Sequence, residues 1–282
     1  MQHRFLNSRI DRLIRKAIGV CLLVFIVSLT SACSKSTNPG IIIAGSTSVQ
    51  PFAEALAEEY MRLNKDITID IQGGGSSAGV MSAQTNTADI GMSSRDLKDE
   101  EKTLWYVEIA RDGLAVIVNP NNPVDNLTLK QARDIYSGVI TNWNQLGGKN
   151  AVIHVIAREE GSGTRSAFES LVMDKIEINP RAIVQDSNGT VRQLVGDDAA
   201  AIGFISLGLV NERVKALELD GVKATRENVI NGSYGLSRPF LFITSVEPTG
   251  KTKLFIDFVL SPEGKKLLND EGLVTFESGG VQ

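Results

Sequence analysis

Histidine and cysteine are nearly missing from this chain: two of each occur in 282 residues, and His3 and Cys21 both fall within the first 32. Beyond that point only His154 and Cys33 remain. A single thiol excludes an internal disulfide. A single imidazole excludes a Cys/His metal cluster, and no calcium-loop pattern of acids takes its place. No metal or cofactor is expected. A Ser-His-Asp triad would have to be built on His154, which lies inside the apolar run 152–157, where a packed or edge histidine belongs. Long apolar runs are also lacking. The longest, 17–29, falls short of the ~20 residues that a membrane-spanning helix needs. Positive charge is not in excess either: the net charge of −4 argues against nucleic acid or an anionic membrane surface as partner.

What is present starts with an address. Arg4, Arg9, Arg12, Arg15 and Lys16 precede the apolar run 17–29, and the small residues Thr30-Ser31-Ala32-Cys33 follow it. That order spells a secretory signal over 1–32, so the chain is expected outside the cytoplasm. Cys33 stands where a bacterial lipoprotein carries its lipid, with a flexible tether over 33–40. The site departs from a lipobox in that Leu29 lies one position early, with Thr30 in its place. Several acyl chains on Cys33 would anchor the protein stably at a bacterial membrane. The other reading is ordinary cleavage after Ala32, which leaves a periplasmic or secreted protein. Removing a leader of net +4 from a chain of net −4 leaves −8. An anionic ligand would then be held by local dipoles and hydrogen bonds, not by a broad positive field.

Apolar and helical periodicities alternate along the rest. Strands are expected over 41–44, 67–71 and 88–92, with helices over 49–64 and near 80–84; Phe52, Leu56, Tyr60 and Leu63 share one helix face. A second block carries strands over 114–119, 152–157, 182–185 and 201–205, with helices over 129–137, 166–174 and 190–196. A strand over 239–245 and helices over 251–260 and 262–269 close the chain. This is an α/β pattern with parallel sheets. Two blocks and a returning C-terminal segment suggest two lobes around a cleft: 41–112 and 238–282 in the first, 113–237 in the second.

Three strand-to-helix junctions are rich in glycine and hydroxyl residues: Gly45-Ser46-Thr47-Ser48, Gly73-Gly74-Gly75-Ser76-Ser77-Ala78-Gly79, and Arg158-Glu159-Glu160-Gly161-Ser162-Gly163-Thr164-Arg165. Free backbone N–H groups and a partial positive charge make such junctions anion sites. The second run fits a loose dinucleotide pattern, but serines fill its spacer and no ribose-binding acid follows. The third lacks the Gly-Lys-Ser/Thr ending of a P-loop. Arg158 can grip an oxyanion through two parallel bonds, with Glu160 placed to orient it. Ser93-Ser94-Arg95 ends a strand as a ligand contact or as a solvated loop with Arg95 paired to Asp96 or Asp99. A small oxyanion gripped without chemistry is the economical reading; the rival is a phosphoester hydrolase using Ser162 or Ser48.

From residue 41 onward the chain resembles the phosphate-binding proteins of bacterial ABC-type phosphate importers, in their compact lipoprotein form. The likeness rests on Arg158-x-x-Gly161-Ser162-Gly163-Thr164, Gly45–Thr47, Gly75-Ser76-Ser77 and Ala201-Ile202-Gly203-Phe204. It implies a two-lobed fold of the type II periplasmic-binding-protein kind, with two crossing hinge strands near 113–118 and 238–245. It further implies phosphate bound by Thr47, Ser48 and Ser76 from one lobe and by Arg158, Ser162, Gly163 and Thr164 from the other, with Glu160 behind Arg158. The same resemblance implies a monomeric receptor, not an enzyme, that delivers phosphate to a membrane permease and its ATPase. Well-studied relatives carry an aspartate that accepts the phosphate proton and repels sulfate; Ser94 stands at that position here. Another tetrahedral oxyanion, such as sulfate or molybdate, therefore stays open as the ligand.

Overall fold

The computed structural model describes residues 40–276. The expected signal, Cys33 and all of the tether but Gly40 lie outside the described residues. Strand β1 (Ile41–Gly45), helix α1 (Gln50–Leu63), β2 (Ile69–Gly73), α2 (Ser76–Gln84) and β3 (Ile90–Ser93) follow in turn. Both β2 and β3 run parallel to β1. Helix α1 buries Phe52, Ala53, Leu56, Ala57 and Tyr60, the spacing of a helix with one apolar face. Leu63, expected on that face, is 48% exposed because it ends the helix, past the packed surface.

The next strand is longer than its apolar run. Instead of beginning near Leu114, β4 spans Trp105–Val118. The charged residues before Leu114, outside the expected strand, each have a partner within the strand's surroundings. Glu108 and Arg111 pair at 3.1 Å on a partly exposed face, and Asp112 faces Arg238 on a neighbouring strand.

Beyond β4 come β5 (Asn126–Leu127), α3 (Leu129–Ser137), β6 (His154–Arg158), α4 (Gly163–Phe168), β7 (Ile183–Gln185), α5 (Asn188–Asp197), β8 (Ala201–Ser206), β9 (Lys215–Ala216), β10 (Glu218–Leu219) and α6 (Arg226–Ile230). Thr128 and Gln131 cap α3 reciprocally, which fixes its start. Helix α4 begins three residues before its expected start and continues as a π-helical turn, Glu169–Met173. Strand β11 (Ser237–Thr244) then returns between β3 and β4, antiparallel to both. Helices α7 (Gly250–Leu260) and α8 (Pro262–Asp270) follow.

The strand order is β2-β1-β3-β11-β4-β8-β6-β7. Strand β4 is shared: residues 105–113 pair with β11, and Leu114–Val118 pair with β8. The apolar cores divide along it. Val107, Ile109 and Ala110 pack with Ile41, Phe52, Leu56, Phe240 and Phe255. Leu114, Val116 and Val118 pack with Tyr136, Trp143, Phe168 and Phe204, where the rings of Phe168 and Phe204 stack at 4.1 Å. On the other face Ala115 and Ile117 meet Val191, Val195 and Ile205. The fold is thus α/β and two-lobed, with each lobe's parallel strands ending toward the other, the usual place for a ligand.

Candidate functional site

Four helices start where those strands end. The turn after β1 leads to α1, that after β2 to α2, that after β6 to α4, and that after β7 to α5. Each first turn presents unpaired N–H groups and the positive end of a helix dipole. Their side chains meet across the two lobes. Ser48 Oγ lies 2.6 Å from Thr164 Oγ1 and accepts from Asn188 Nδ2 at 2.9 Å. The N–H of Ser77 donates to the carbonyl of Gly161 at 3.1 Å.

Glycine is required at two of these contacts. Gly75 has φ +88°, and a Cβ there would stand 2.9 Å from the Gly161 carbonyl oxygen. A Cβ on Gly163 would stand 2.2 Å from Ser76 Oγ and 2.5 Å from Ser94 Oγ. Only glycine lets the start of α4 approach those hydroxyls.

Arg158, at the end of β6, is wholly buried. Its Nε and Nη2 each donate to Glu159 at 2.9 Å. Backbone carbonyls of Gln185 and Asp186 also accept from it. Its remaining reach is toward Thr47 Oγ1 at 3.1 Å and Thr164 Oγ1 at 3.5 Å. The carboxylate that orients Arg158 is therefore Glu159, not Glu160. Glu159 directly follows the strand and folds back along the guanidinium, whereas Glu160 sits in the exposed turn beyond it. Glu160 instead lines a groove of about 800 Å³ with Ser77, Arg95, Lys98 and Arg165. Arg95 is also differently engaged than expected: the carboxylate it grips is that of Glu101, at 2.7 and 2.9 Å, while Asp96 accepts from it only through its backbone carbonyl, at 2.8 Å.

The structure thus brings Thr47, Ser48, Ser76, Ser94, Arg158, Gly163 and Thr164 together. Ser162, 1% exposed, caps α4 by accepting from the Arg165 N–H. Five residues not singled out from the sequence complete the cluster. Ser46 donates to Ser94 Oγ at 2.9 Å. Asn188 joins from α5. Arg238, 2% exposed, opens β11 opposite Asp112. Its Nε and Nη2 donate to Asp112 Oδ2 at 3.2 and 3.0 Å. Ser206 donates to the other oxygen of Asp112 at 2.9 Å. The signal for Arg238 and Asp112 was charge at the ends of apolar strands. Nothing in the spacing identifies Asn188 or Ser46 apart from the junctions they occupy.

Burial pushes the Asp112 carboxyl up, against the opposing charge of Arg238 and its bond from Ser206. Burial likewise pushes Arg238 down, against Asp112. Two guanidiniums stand at the cluster, each paired with a carboxylate, beside buried hydroxyls and the first turns of four helices. This arrangement suits a small oxyanion. Among the described residues no group of three or more His, Cys, Asp or Glu side chains could hold a metal ion.

Comparison with known proteins points the same way. A family model described as a PBP superfamily domain matches residues 30–263. The phosphate-binding protein PstS of Bacillus subtilis is 33% identical over 281 residues, covering 92% of this chain and 93% of its own. A solved structure from Clostridium perfringens, described as a phosphate ABC transporter substrate-binding protein with bound phosphate, is 47% identical with a TM-score of 0.82. It covers 84% of this chain and 100% of its own. An ABC-type phosphate transport receptor from Vibrio cholerae is 41% identical with a TM-score of 0.71, again over 84% of this chain and 100% of its own.

Proposed function

The chain belongs to the PBP superfamily, within the PstS family of phosphate-binding proteins, and on that premise we propose that it binds inorganic phosphate between its lobes for an ABC-type importer. Residues 41–112 and 238–276 form one lobe and 113–237 the other, with β4 and β11 as the crossings. Thr47, Ser48, Ser76 and Ser94 serve from the first lobe. Arg158, Ser162, Gly163 and Thr164 serve from the second, with Glu159 holding Arg158. Outside the cytoplasm, a lipid on Cys33 tethers the monomer to the membrane, where it meets the permease and its ATPase. Among the described residues no helix is long and apolar enough to cross a membrane.

One observation carries the reading: helix N-termini from both lobes and the buried guanidinium of Arg158 converge on one spot. Each hydrogen bond to a charged ligand contributes ~1.5–3 kcal/mol, so several together, less the cost of desolvation and closure, support micromolar or tighter binding.

Among the described residues the one imidazole stands away from the cluster. His154 opens β6 and Arg158 closes it, about 13 Å apart at the rise of a strand. His154 Nδ1 is engaged with Asp198 Oδ2 at 2.6 Å, half exposed at the surface. The spelling Gly-x-Ser-x-Gly does occur at Gly75–Gly79, but its central Ser77 is exposed in the first turn of α2, in contact with Gly161. Equilibrium dialysis with labelled phosphate tests the proposal. Retention of one phosphate per chain, with a chromogenic phosphoester left intact, is expected. Turnover of the ester that His154→Ala abolishes would replace binding with catalysis.

A further inference from the structure

Five buried residues close a ring of hydrogen bonds that crosses from one lobe to the other and back. Ser48 Oγ accepts from Arg238 Nη2 at 3.3 Å. Arg238 Nη2 also donates to Asp112 at 3.0 Å, across the paired strands β11 and β4. Asp112 accepts in turn from Ser206 Oγ at 2.9 Å. The N–H of Ser206 donates to Asn188 Oδ1 at 3.2 Å, and Asn188 Nδ2 donates to Ser48 Oγ at 2.9 Å. None of the five is more than 2% exposed. Two of these bonds join the lobes. The one from Ser206 Oγ lies at the hinge, where Ser206 ends β8 opposite Leu114 on β4. The one from Asn188 lies across the cleft, between the first turns of α1 and α5.

Asparagine suits that place because its amide both accepts and donates. A backbone N–H can only donate, so the Ser206 N–H fixes which end of the amide faces β8. The NH2 is left aimed at Ser48. A guanidinium also only donates. Asn188 and Arg238 fill both lone pairs of the Ser48 hydroxyl, so its proton is left for Thr164 Oγ1, 2.6 Å away, or for a bound oxyanion. We infer that Asn188 is a positioning residue of the phosphate site and the latch of its closure: from the second lobe it holds Ser48 of the first as a donor. The inference rests on the phosphate reading above, and it needs no contact between Asn188 and the ligand. Opening the cleft parts Asn188 from Ser48, whereas its bond to Ser206 stays, because both ends belong to the second lobe. The latch therefore forms after the anion has been captured, and it slows escape.

Equilibrium dialysis of the full chain with labelled phosphate, and a chase of the bound label with excess unlabelled phosphate, test this. The first gives the dissociation constant, the second the release rate, and their ratio the association rate. Asn188→Ala should weaken binding about tenfold, with the loss in faster release and the association rate kept within about twofold. Ser48→Ala should weaken binding too, and adding Asn188→Ala to it should cost less than about twofold more, because the two residues act through one bond. A residue that merely supports the fold would cost the same in either background. Asn188→Asp keeps an acceptor for the Ser206 N–H, which guards the fold, but offers Ser48 an acceptor in place of a donor. Its affinity should fall at least as far as that of Asn188→Ala. Additive losses in the double variant, a loss confined to the association rate, or an Asn188→Asp variant that binds as tightly as the original would each overturn the inference. Absence of phosphate binding by the unaltered chain would instead overturn the reading beneath it, and the dialysis shows that by itself.

Discussion

Ser48 Oγ and Thr164 Oγ1 lie 2.6 Å apart, although 116 residues separate them and they start helices of different lobes. The contact exists only while the lobes are together, and a ligand held by both residues binds the closed form. Thr164→Val keeps the shape and removes the hydroxyl. Phosphate affinity should fall about ten- to a hundredfold, the worth of one hydrogen bond to a charged group. Equilibrium dialysis with labelled phosphate measures it, and circular dichroism should show an unchanged fold.

Gly163→Ala separates closure from folding. The added Cβ would stand 2.2 Å from Ser76 Oγ and 2.5 Å from Ser94 Oγ, so the lobes cannot come together fully. Each lobe's own core is untouched. Phosphate binding should drop by a hundredfold or more, while the unfolding free energy from urea titration without ligand stays within about 1 kcal/mol of the original. A variant that binds normally would show that these surfaces need not meet.

The sequence made the junctions legible because glycine and hydroxyl residues gather there for reasons of backbone geometry and capping. Helix α3 lies where it was expected, over 129–137, and its ends are set locally: Thr128 with Gln131 at its start and Gly138, at φ +85°, just past its end. Long-range pairings were not legible. Arg238 and Asp112 meet only through the register of β11 on β4, and the same pairing makes a charged stretch before Leu114 part of a strand. Glu159 and Glu160 are neighbours of one type. Only the direction of the chain leaving β6 decides which of them reaches Arg158.

Glu101 should tie acid stability to the first lobe. Its carboxyl is held below the usual range by two bonds from the Arg95 guanidinium, against an upward push from partial burial. A carboxyl lowered on folding adds stability above its unfolded value of about 4.3, and that contribution disappears as pH falls through the folded value. Glu101→Gln should therefore cost on the order of 1–2 kcal/mol at neutral pH, with the difference from the original chain shrinking in acid. Urea unfolding at several pH values checks this; a gap that widens in acid would refute it.

The central claim is that Arg158 and the converging helix N-termini grip inorganic phosphate, and its most direct test is calorimetric titration of phosphate into the full chain beside its Arg158→Lys variant. The account predicts one site with an affinity of about 1 μM or tighter, near −8 kcal/mol. It also predicts a loss of at least about tenfold in the variant, because lysine keeps the charge and gives up the fixed fork of donors. No heat of binding from the unaltered chain, or equal affinity in the two proteins, would contradict it.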